Sequence, residues 1–237
     1  DISSPAQRGR LMSIFMGTAL ERSGIAHELL QCLQVLTRRV PGGLAMSVTV
    51  MGTIMAATTG IVGASVIMLT LIAMPAMIER GYKGELAAGT IASAGTLGIL
   101  IPPSIMLVVM GDLLTVSVGA LFAAALIPGL VLSTLYLTYI GTLSFLWPRF
   151  APPLPPDEGP RGGVAFWRMI AKSFFPPTFL VVLVLGSIFG GWATPTEAAG
   201  VGSAGALLLA WSRRKLDRKT LVEIIESAGL TNAMVFL

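Results

Sequence analysis

Uncharged oxygen ligands are the feature of this sequence that could do chemistry. Two short stretches, 56–65 and 95–104, combine hydroxyl side chains with glycines inside long apolar runs. In membrane proteins, hydroxyls and backbone carbonyls freed from helical hydrogen bonds bind hard monovalent cations such as Na⁺. The sequence therefore predicts a cation site. Its candidate ligands are Thr58, Thr59, Gly60, Gly63, Ser65, Gly95, Thr96 and Gly98.

The stretch 95–104, Gly-Thr-Leu-Gly-Ile-Leu-Ile-Pro-Pro-Ser, should interrupt a helix. Pro102 and Pro103 lack an N–H group and clash with the preceding turn. In hydrocarbon, such a break persists only where protein buries it or where it lines a cavity. A helix that restarts at Ser104 would direct its positive dipole end toward the break, which favours an anionic group. We therefore predict that Pro102, Pro103 and Ser104 face a substrate.

Each of these features also has a simpler explanation. Pro102 and Pro103 could cause only a kink, which membrane helices tolerate. Each Ser or Thr hydroxyl could donate to a carbonyl of its own helix, the commoner fate of these side chains in a membrane. If 56–65 forms the tip of a helical hairpin, that tip and the helix break at 95–104 together form a more specific pattern than either feature alone.

The elements that must position these residues are membrane helices. The mean hydropathy is +0.81, and only 12% of the residues are charged, against about 25% in soluble domains. The net charge of +4 does not indicate nucleic-acid binding, because the basic residues cluster between apolar runs as in cytoplasmic loops. One Cys and one His exclude a disulfide framework and the usual zinc sites. The predicted fold class is an all-α polytopic membrane protein.

Hydropathy and proline content divide the chain into segments. The predicted segments are 1–40 (a truncated span and an interfacial helix), 41–80 (a re-entrant hairpin), 83–116 (a broken helix), 117–149 (a span), 150–173 (a proline-rich linker and an amphipathic helix) and 174–237 (two further spans, an amphipathic stretch over 217–229 and a last apolar run from 232).

The segment 41–80 allows two interpretations. Its apolar part, 44–78, is short for two full spans, and it could be one span over 61–78 after an interfacial helix. A re-entrant hairpin places all sixteen Lys and Arg residues except Arg8 and Arg10 on one side of the membrane. A single span would scatter them over both faces. The positive-inside rule makes the basic side cytoplasmic and favours the hairpin.

The motif 193–199, Ala-Thr-Pro-Thr-Glu-Ala-Ala, predicts the start of a helix. Thr194 is suited to the N-cap, Pro195 to the first helical position, and Glu197 completes a capping box three residues after the cap. Together with Thr196, these residues form a structural motif.

Enzymatic chemistry has no support in the sequence. An intramembrane enzyme needs an acid, base or nucleophile activated at depth, and the predicted spans contain no such pair. A Gly-Lys-Ser/Thr phosphate loop, which nucleotide hydrolysis would need, is also absent from the sequence. We therefore predict a protein that is not an enzyme.

The sequence resembles the large permease subunit of tripartite ATP-independent periplasmic (TRAP) transporters, the DctM-like family. The resemblance covers nearly the whole chain and rests most strongly on 95–104 and 193–199. Shorter matches are 15–17, 42–44, 75–77 with 81–82, 121–122 and 128–129. Many members carry a Gly-Ser-Ser run at the first hairpin tip, which is absent here; the tip is more similar to the mannitol/chloroaromatic-type branch.

The resemblance implies an elevator-type ion transporter with inverted repeats in a bacterial or archaeal inner membrane. Na⁺ would drive import of an organic acid, a periplasmic substrate-binding protein would deliver it, and a small TRAP membrane subunit would complete the complex. The hairpin 41–80 and the break 95–104 would frame one Na⁺ site, and no other cofactor is implied. A non-coupled channel or a structural membrane subunit is the alternative.

The two ends of the sequence lead to one more expectation. The chain starts at Asp1 without an initiator Met and stops inside an apolar run. We therefore expect an internal fragment of a longer permease. Residues 174–237 would then start a second repeat, whose hairpin and ion site would lie beyond Leu237.

Overall fold

The protein is described here by a computed structural model, which covers residues 5–22, 24–59, 62–153, 164–213 and 216–236. All regular elements within those residues are helices, which confirms the predicted all-α class. The helices are α1 (Pro5–Arg22), α2 (Ile25–Thr37), α3 (Gly43–Thr59), α4 (Val62–Glu79), α5 (Gly84–Leu100), α6 (Ile105–Leu114), α7 (Val118–Leu146), α8 (Val164–Ser173), α9 (Phe175–Phe189), α10 (Pro195–Ser212) and α11 (Arg218–Phe236).

Within the described residues, three helical segments are long and apolar enough to cross a membrane: Gly84–Leu114 with 31 residues, Val118–Leu146 with 29 and Phe166–Phe189 with 24. The first of them contains the predicted break, since α5 ends at Leu100 and α6 begins at Ile105. Pro102 and Pro103 explain the interruption, because neither residue can donate to the preceding turn.

The start of α3 and the end of α4, which form the open end of the hairpin, lie at the same end of the molecule. The backbone N–H of Leu44, at the start of α3, donates to the hydroxyl of Tyr82, just after α4 (3.2 Å). Burial raises the pKa of the Tyr82 phenol. The N–H of Lys83 donates to the carbonyl of Phe150, just after α7 (3.1 Å). This geometry suits a hairpin that enters and leaves on one side, and re-entry into the bilayer stays a prediction.

Helix α5 packs against both hairpin helices through small residues. A Cβ at Gly95 would lie 2.3 Å from Cγ2 of Val66 on α4. A Cβ at Gly52 on α3 would lie 2.7 Å from Cβ of Ala94. Small residues at these positions let the helix backbones approach closely, as is common between helices in apolar surroundings.

The contact between Gly52 and Ala94 also sets the depth of the hairpin. Helices α3 and α5 run in the same direction, and Thr59 lies as far beyond Gly52 as Ile101 lies beyond Ala94. The end of α3 is therefore level with the end of α5. The α3 arm of the hairpin therefore reaches the depth of the break.

Helix α7 returns along the broken helix and covers the break. A Cβ at Gly129 would lie 3.0 Å from Cγ1 of Ile101 and 3.4 Å from the carbonyl oxygen of Leu100. Glycine at this position therefore allows α7 to pack directly on the end of α5. The break is enclosed by protein, as the cost of exposing backbone groups to lipid requires.

The C-terminal part differs from the sequence prediction. The stretch 217–229 and the apolar run from Asn232 were predicted as separate segments, but α11 is one continuous helix. Gly229 does not interrupt it, because a single glycine costs a helix only about 1 kcal/mol. Most of the predicted proline-rich linker, residues 154–163, lies outside the described residues.

The glycine contact between α5 and the hairpin can be tested by substitution. We expect Gly95→Ala to lower the thermal midpoint of the purified protein, because the new methyl group meets Val66 and overpacking costs about 1–3 kcal/mol. Gly89→Ala on the same helix is the control, since a Cβ there has no atom within 4 Å. A midpoint that rises equally in both variants would contradict the close contact.

Candidate functional site

The break between α5 and α6 leaves two sets of backbone groups without helical partners. The carbonyls of Gly98 and Ile99 lack a donor four residues on, because those positions are Pro102 and Pro103. On the other side, Ser104 is the N-cap residue of α6, and its side chain makes no capping hydrogen bond. The break therefore combines free carbonyl oxygens from α5 with the positive end of α6.

Ser104 is the most deeply buried polar side chain at the break. It is 1% exposed, and its hydroxyl has no hydrogen-bond partner among the described residues. Leaving a buried hydroxyl unpaired costs about 1–3 kcal/mol. Pro102 and Pro103 beside it are also buried. A bound cation or anion would pair with this hydroxyl, which makes Ser104 the strongest candidate ligand of the substrate-facing set.

The hairpin contributes one buried candidate close to α5. Ser65 is buried and directly precedes Val66, the residue that packs on Gly95. Gly95 and Gly98 are buried on α5. The structure therefore places Ser65 next to the residue that packs on Gly95, and Gly98 lies one turn further along α5. Whether they ligate Na⁺ stays a prediction.

Other predicted cation ligands are placed less favourably. Thr96 is exposed, and its hydroxyl donates to the carbonyl of Ser93 in its own helix (2.7 Å). Gly63 is exposed and has open space where a Cβ would lie. Three further candidates lie outside the part that the structure describes, namely Gly60 and the side chains of Thr58 and Thr59.

The capping box predicted at Thr194 is confirmed. The carboxylate of Glu197 accepts hydrogen bonds from the N–H and the hydroxyl of Thr194, both at 2.8 Å. In return, the N–H of Glu197 donates to the hydroxyl of Thr194 (3.4 Å). These bonds to the backbone N–H and then to the hydroxyl hold the pKa of Glu197 below its ordinary value. Helix α10 begins at Pro195 for this reason.

The two long sequence motifs meet in space. Pro103 from the break and Pro195 and Thr196 from the cap line one small cavity of about 20 Å³. Thr196 also borders a larger cavity of about 400 Å³ at the far end of α6, beside Asp112 and Thr115. The motif 193–199, for which the sequence indicated only a structural role, therefore lies next to the break. No local pattern signals a contact between residues so far apart in the chain.

A hydroxyl pair that the sequence did not predict joins the hairpin to α7. The hydroxyls of Thr53 and Ser133 lie 2.8 Å apart, and Thr53 also donates to the carbonyl of Thr49 (2.8 Å). Both residues occur within apolar runs, which marks each as unusual. Only the packing of α3 on α7 identifies them as partners.

Comparison with known proteins decides the family. The family model of the tripartite ATP-independent periplasmic transporter, DctM component, matches residues 10–237. The chain belongs to this TRAP transporter family. Family membership confirms the resemblance, and it places the chain among transporter permease components rather than among enzymes.

Several curated TRAP permeases are similar to the chain. It is 32% identical to the C4-dicarboxylate TRAP transporter large permease protein DctM of Pseudomonas aeruginosa, over 94% of the chain and 51% of that protein. The protein of the same name from Vibrio cholerae is 35% identical, over 84% of the chain and 42% of that protein. The isethionate TRAP transporter permease protein DctMQ of Oleidesulfovibrio alaskensis is 31% identical, over 94% and 34%. The chain thus spans about half the length of the curated relatives it matches, or less.

The capping box of the TRAP permease has a testable effect on stability. Thr194→Ala removes the hydroxyl that serves the carboxylate and the N–H of Glu197, and loss of such a cap costs about 1 kcal/mol. We expect a lower thermal midpoint at neutral pH. Thr138→Ala is the control, because that exposed hydroxyl donates only within its own helix.

The stability effect should depend on pH in a defined direction. Because the pKa of Glu197 is lowered in the folded state, its contribution is present above the ordinary glutamate pKa and is lost as pH falls through the lowered value. The difference between wild type and Thr194→Ala should therefore shrink in acid. A difference that grows as pH falls would contradict a role for the carboxylate.

Proposed function

We propose that this chain forms part of the permease subunit of a Na⁺-driven, binding-protein-dependent secondary transporter that imports an organic acid. The observation that carries the proposal is the helix break: free carbonyls end α5, and an unpaired buried hydroxyl precedes the N-terminus of α6. Relatives support the substrate class, since two of them are named for C4-dicarboxylate and isethionate, which are both organic anions.

The chemistry of the break favours a monovalent cation. Its oxygens are carbonyls and hydroxyls, and the stretch 95–104 contains no carboxylate. Divalent cations are usually held by at least one carboxylate. Na⁺ sites of transporters, by contrast, use unwound carbonyls. In our proposal, Na⁺ binds the freed carbonyls of Gly98 and Ile99 with the hydroxyl of Ser65, and Thr58, Thr59 and Gly60 are further candidates from the hairpin tip.

The substrate would bind at the other side of the break. The unpaired N–H groups at the start of α6 and the hydroxyl of Ser104 are donors, and a helix N-terminus favours an anion. A bound Na⁺ beside them would add positive charge to the same place. The two ligands would therefore bind cooperatively, which is the physical basis for coupling their transport.

The packing of the hairpin supports the proposed elevator mechanism. Close contacts at Gly52 and Gly95 join α3, α4 and α5, so these three helices would move as one body. We propose that this body slides against a scaffold in the bacterial or archaeal inner membrane. A periplasmic substrate-binding protein and a small TRAP membrane subunit would be the partners of the intact permease.

Transport by the intact permease tests the proposal directly. In proteoliposomes with the binding protein and the small subunit, an inward Na⁺ gradient should drive uptake of a C4-dicarboxylate or another small organic acid. Uptake should collapse when K⁺ replaces Na⁺ or when a Na⁺ ionophore dissipates the gradient. Equal uptake without any Na⁺ gradient would instead favour a non-coupled channel.

Substitution of Ser104 tests whether its buried hydroxyl is a ligand of the site or has no function. Ser104→Ala should raise the thermal midpoint in Na⁺-free, substrate-free detergent, because it removes an unpaired buried hydroxyl worth about 1–3 kcal/mol. The same variant should reduce the stabilisation by Na⁺ and organic acid together. Melting curves with and without these ligands measure both effects.

Ser144→Ala is a matched control for Ser104→Ala. Ser144 is also buried with an unpaired hydroxyl, but it lies beside Gly42 at the open end of the hairpin. Its substitution should raise the midpoint and leave the ligand effect unchanged. If both variants kept the full ligand-dependent stabilisation, Ser104 would not belong to the site.

A further inference from the structure

A cavity separate from the helix break lies between α5 and α7. It has a volume of about 570 Å³ and is found at the end of the bundle where the N–H of Lys83 meets the carbonyl of Phe150. Its walls combine charged, hydroxyl and apolar side chains. The lining residues used below are Lys83, Glu85, Leu86, Thr90, Leu143 and Phe150.

Two opposite charges lie at the rim of this cavity. Lys83 and Glu85 are exposed, and within the described residues neither forms a salt bridge. The Nζ atom of Lys83 is 3.9 Å from the ring centroid of Phe150. Contact with the ring face holds the ammonium in place and leaves N–H donors available on its other side. The rim therefore offers one cation and one anion to a ligand.

Thr90 supplies an unpaired polar group inside the cavity. It is 3% exposed, lines the cavity, and its hydroxyl has no hydrogen-bond partner among the described residues. A buried hydroxyl of this kind is costly unless a ligand pairs with it. Leu86 and Leu143 make the adjoining wall apolar. The cavity is therefore amphipathic, with charges at the rim and hydrocarbon below.

The surroundings place the cavity at a membrane interface. Trp147 and Arg149 follow α7 directly, and aromatic and basic residues concentrate where a bilayer meets water. Trp147 stacks on Phe150 with the ring centroids 6.4 Å apart. The ligand best matched to this position is a membrane amphiphile with a charged head and acyl chains.

We propose that this cavity binds a phospholipid whose headgroup carries a primary ammonium, of the ethanolamine type. The lipid phosphate contacts Lys83, the lipid ammonium contacts Glu85, and the hydroxyl of Thr90 donates to an ester oxygen. The acyl chains leave past Leu86 and Leu143 into the bilayer. Glycerol headgroups lack a cation for Glu85, and choline headgroups lack an N–H donor.

Native mass spectrometry of the intact permease tests this proposal. The detergent-solubilised protein is incubated with equal amounts of phosphatidylethanolamine, phosphatidylglycerol and phosphatidylcholine that differ in acyl mass. We expect ethanolamine lipid to be retained about tenfold more than either other lipid, as one additional charge-assisted hydrogen bond would produce. Equal retention of all three lipids would overturn the proposal.

Three variants assign the contacts to residues. Lys83→Gln should reduce retention of all three phosphate-bearing lipids, whereas Glu85→Gln should remove only the preference for ethanolamine. Thr90→Val should reduce lipid retention while raising, or leaving unchanged, the thermal midpoint in lipid-free detergent. Arg149→Gln is the matched control, because this neighbouring exposed cation does not line the cavity.

The variants also give the outcomes that contradict the proposal. If Arg149→Gln reduced retention as much as Lys83→Gln, the lipid would bind by general surface charge. If Glu85→Gln kept the ethanolamine preference, the ammonium contact would be wrong. Uptake measurements are not needed for either result, so failure of the lipid site and failure of Na⁺ coupling remain distinguishable.

Discussion

The need to pair backbone groups in apolar surroundings is the constraint on which the structure depends. Pro102 and Pro103 remove two N–H groups in succession, which leaves the carbonyls of Gly98 and Ile99 without helical donors. Such a gap is tolerated in a membrane protein only when protein encloses it or when it lines a cavity. The close approach of α7 at Gly129 and the depth of the hairpin both serve this enclosure.

The helix packing that encloses the break also forms the candidate site. The small residues that let α3, α4 and α5 pack tightly also place the end of α3 level with the break. Groups that are costly when unpaired, including the hydroxyl of Ser104, are thereby collected where a ligand can satisfy them. The chain belongs to the TRAP permease family, and in the function that we propose this ligand would be the coupling ion or the substrate.

Much of the fold could be predicted from the sequence because its signals are local. Hydropathy indicated an all-helical membrane protein, and Pro102 with Pro103 indicated where α5 ends. Thr194 and Glu197 indicated the start of α10 through bonds that span only three residues. The stretch 217–229 and the apolar run from Asn232 belong to one helix, α11, because hydropathy changes along that helix while its backbone hydrogen bonding continues.

The sequence by itself determined which backbone groups lose their partners, since a proline acts on groups within four residues of it. Tertiary structure alone decided which side chains are available to replace those partners. Thr96 and Ser104 have similar hydroxyls in one motif, yet Thr96 donates to its own helix whereas Ser104 is buried and unpaired. Pro103 and Thr196 line one cavity, and Thr90 lines another. Both cavities likewise depend on packing between helices far apart in the chain, which no local pattern encodes.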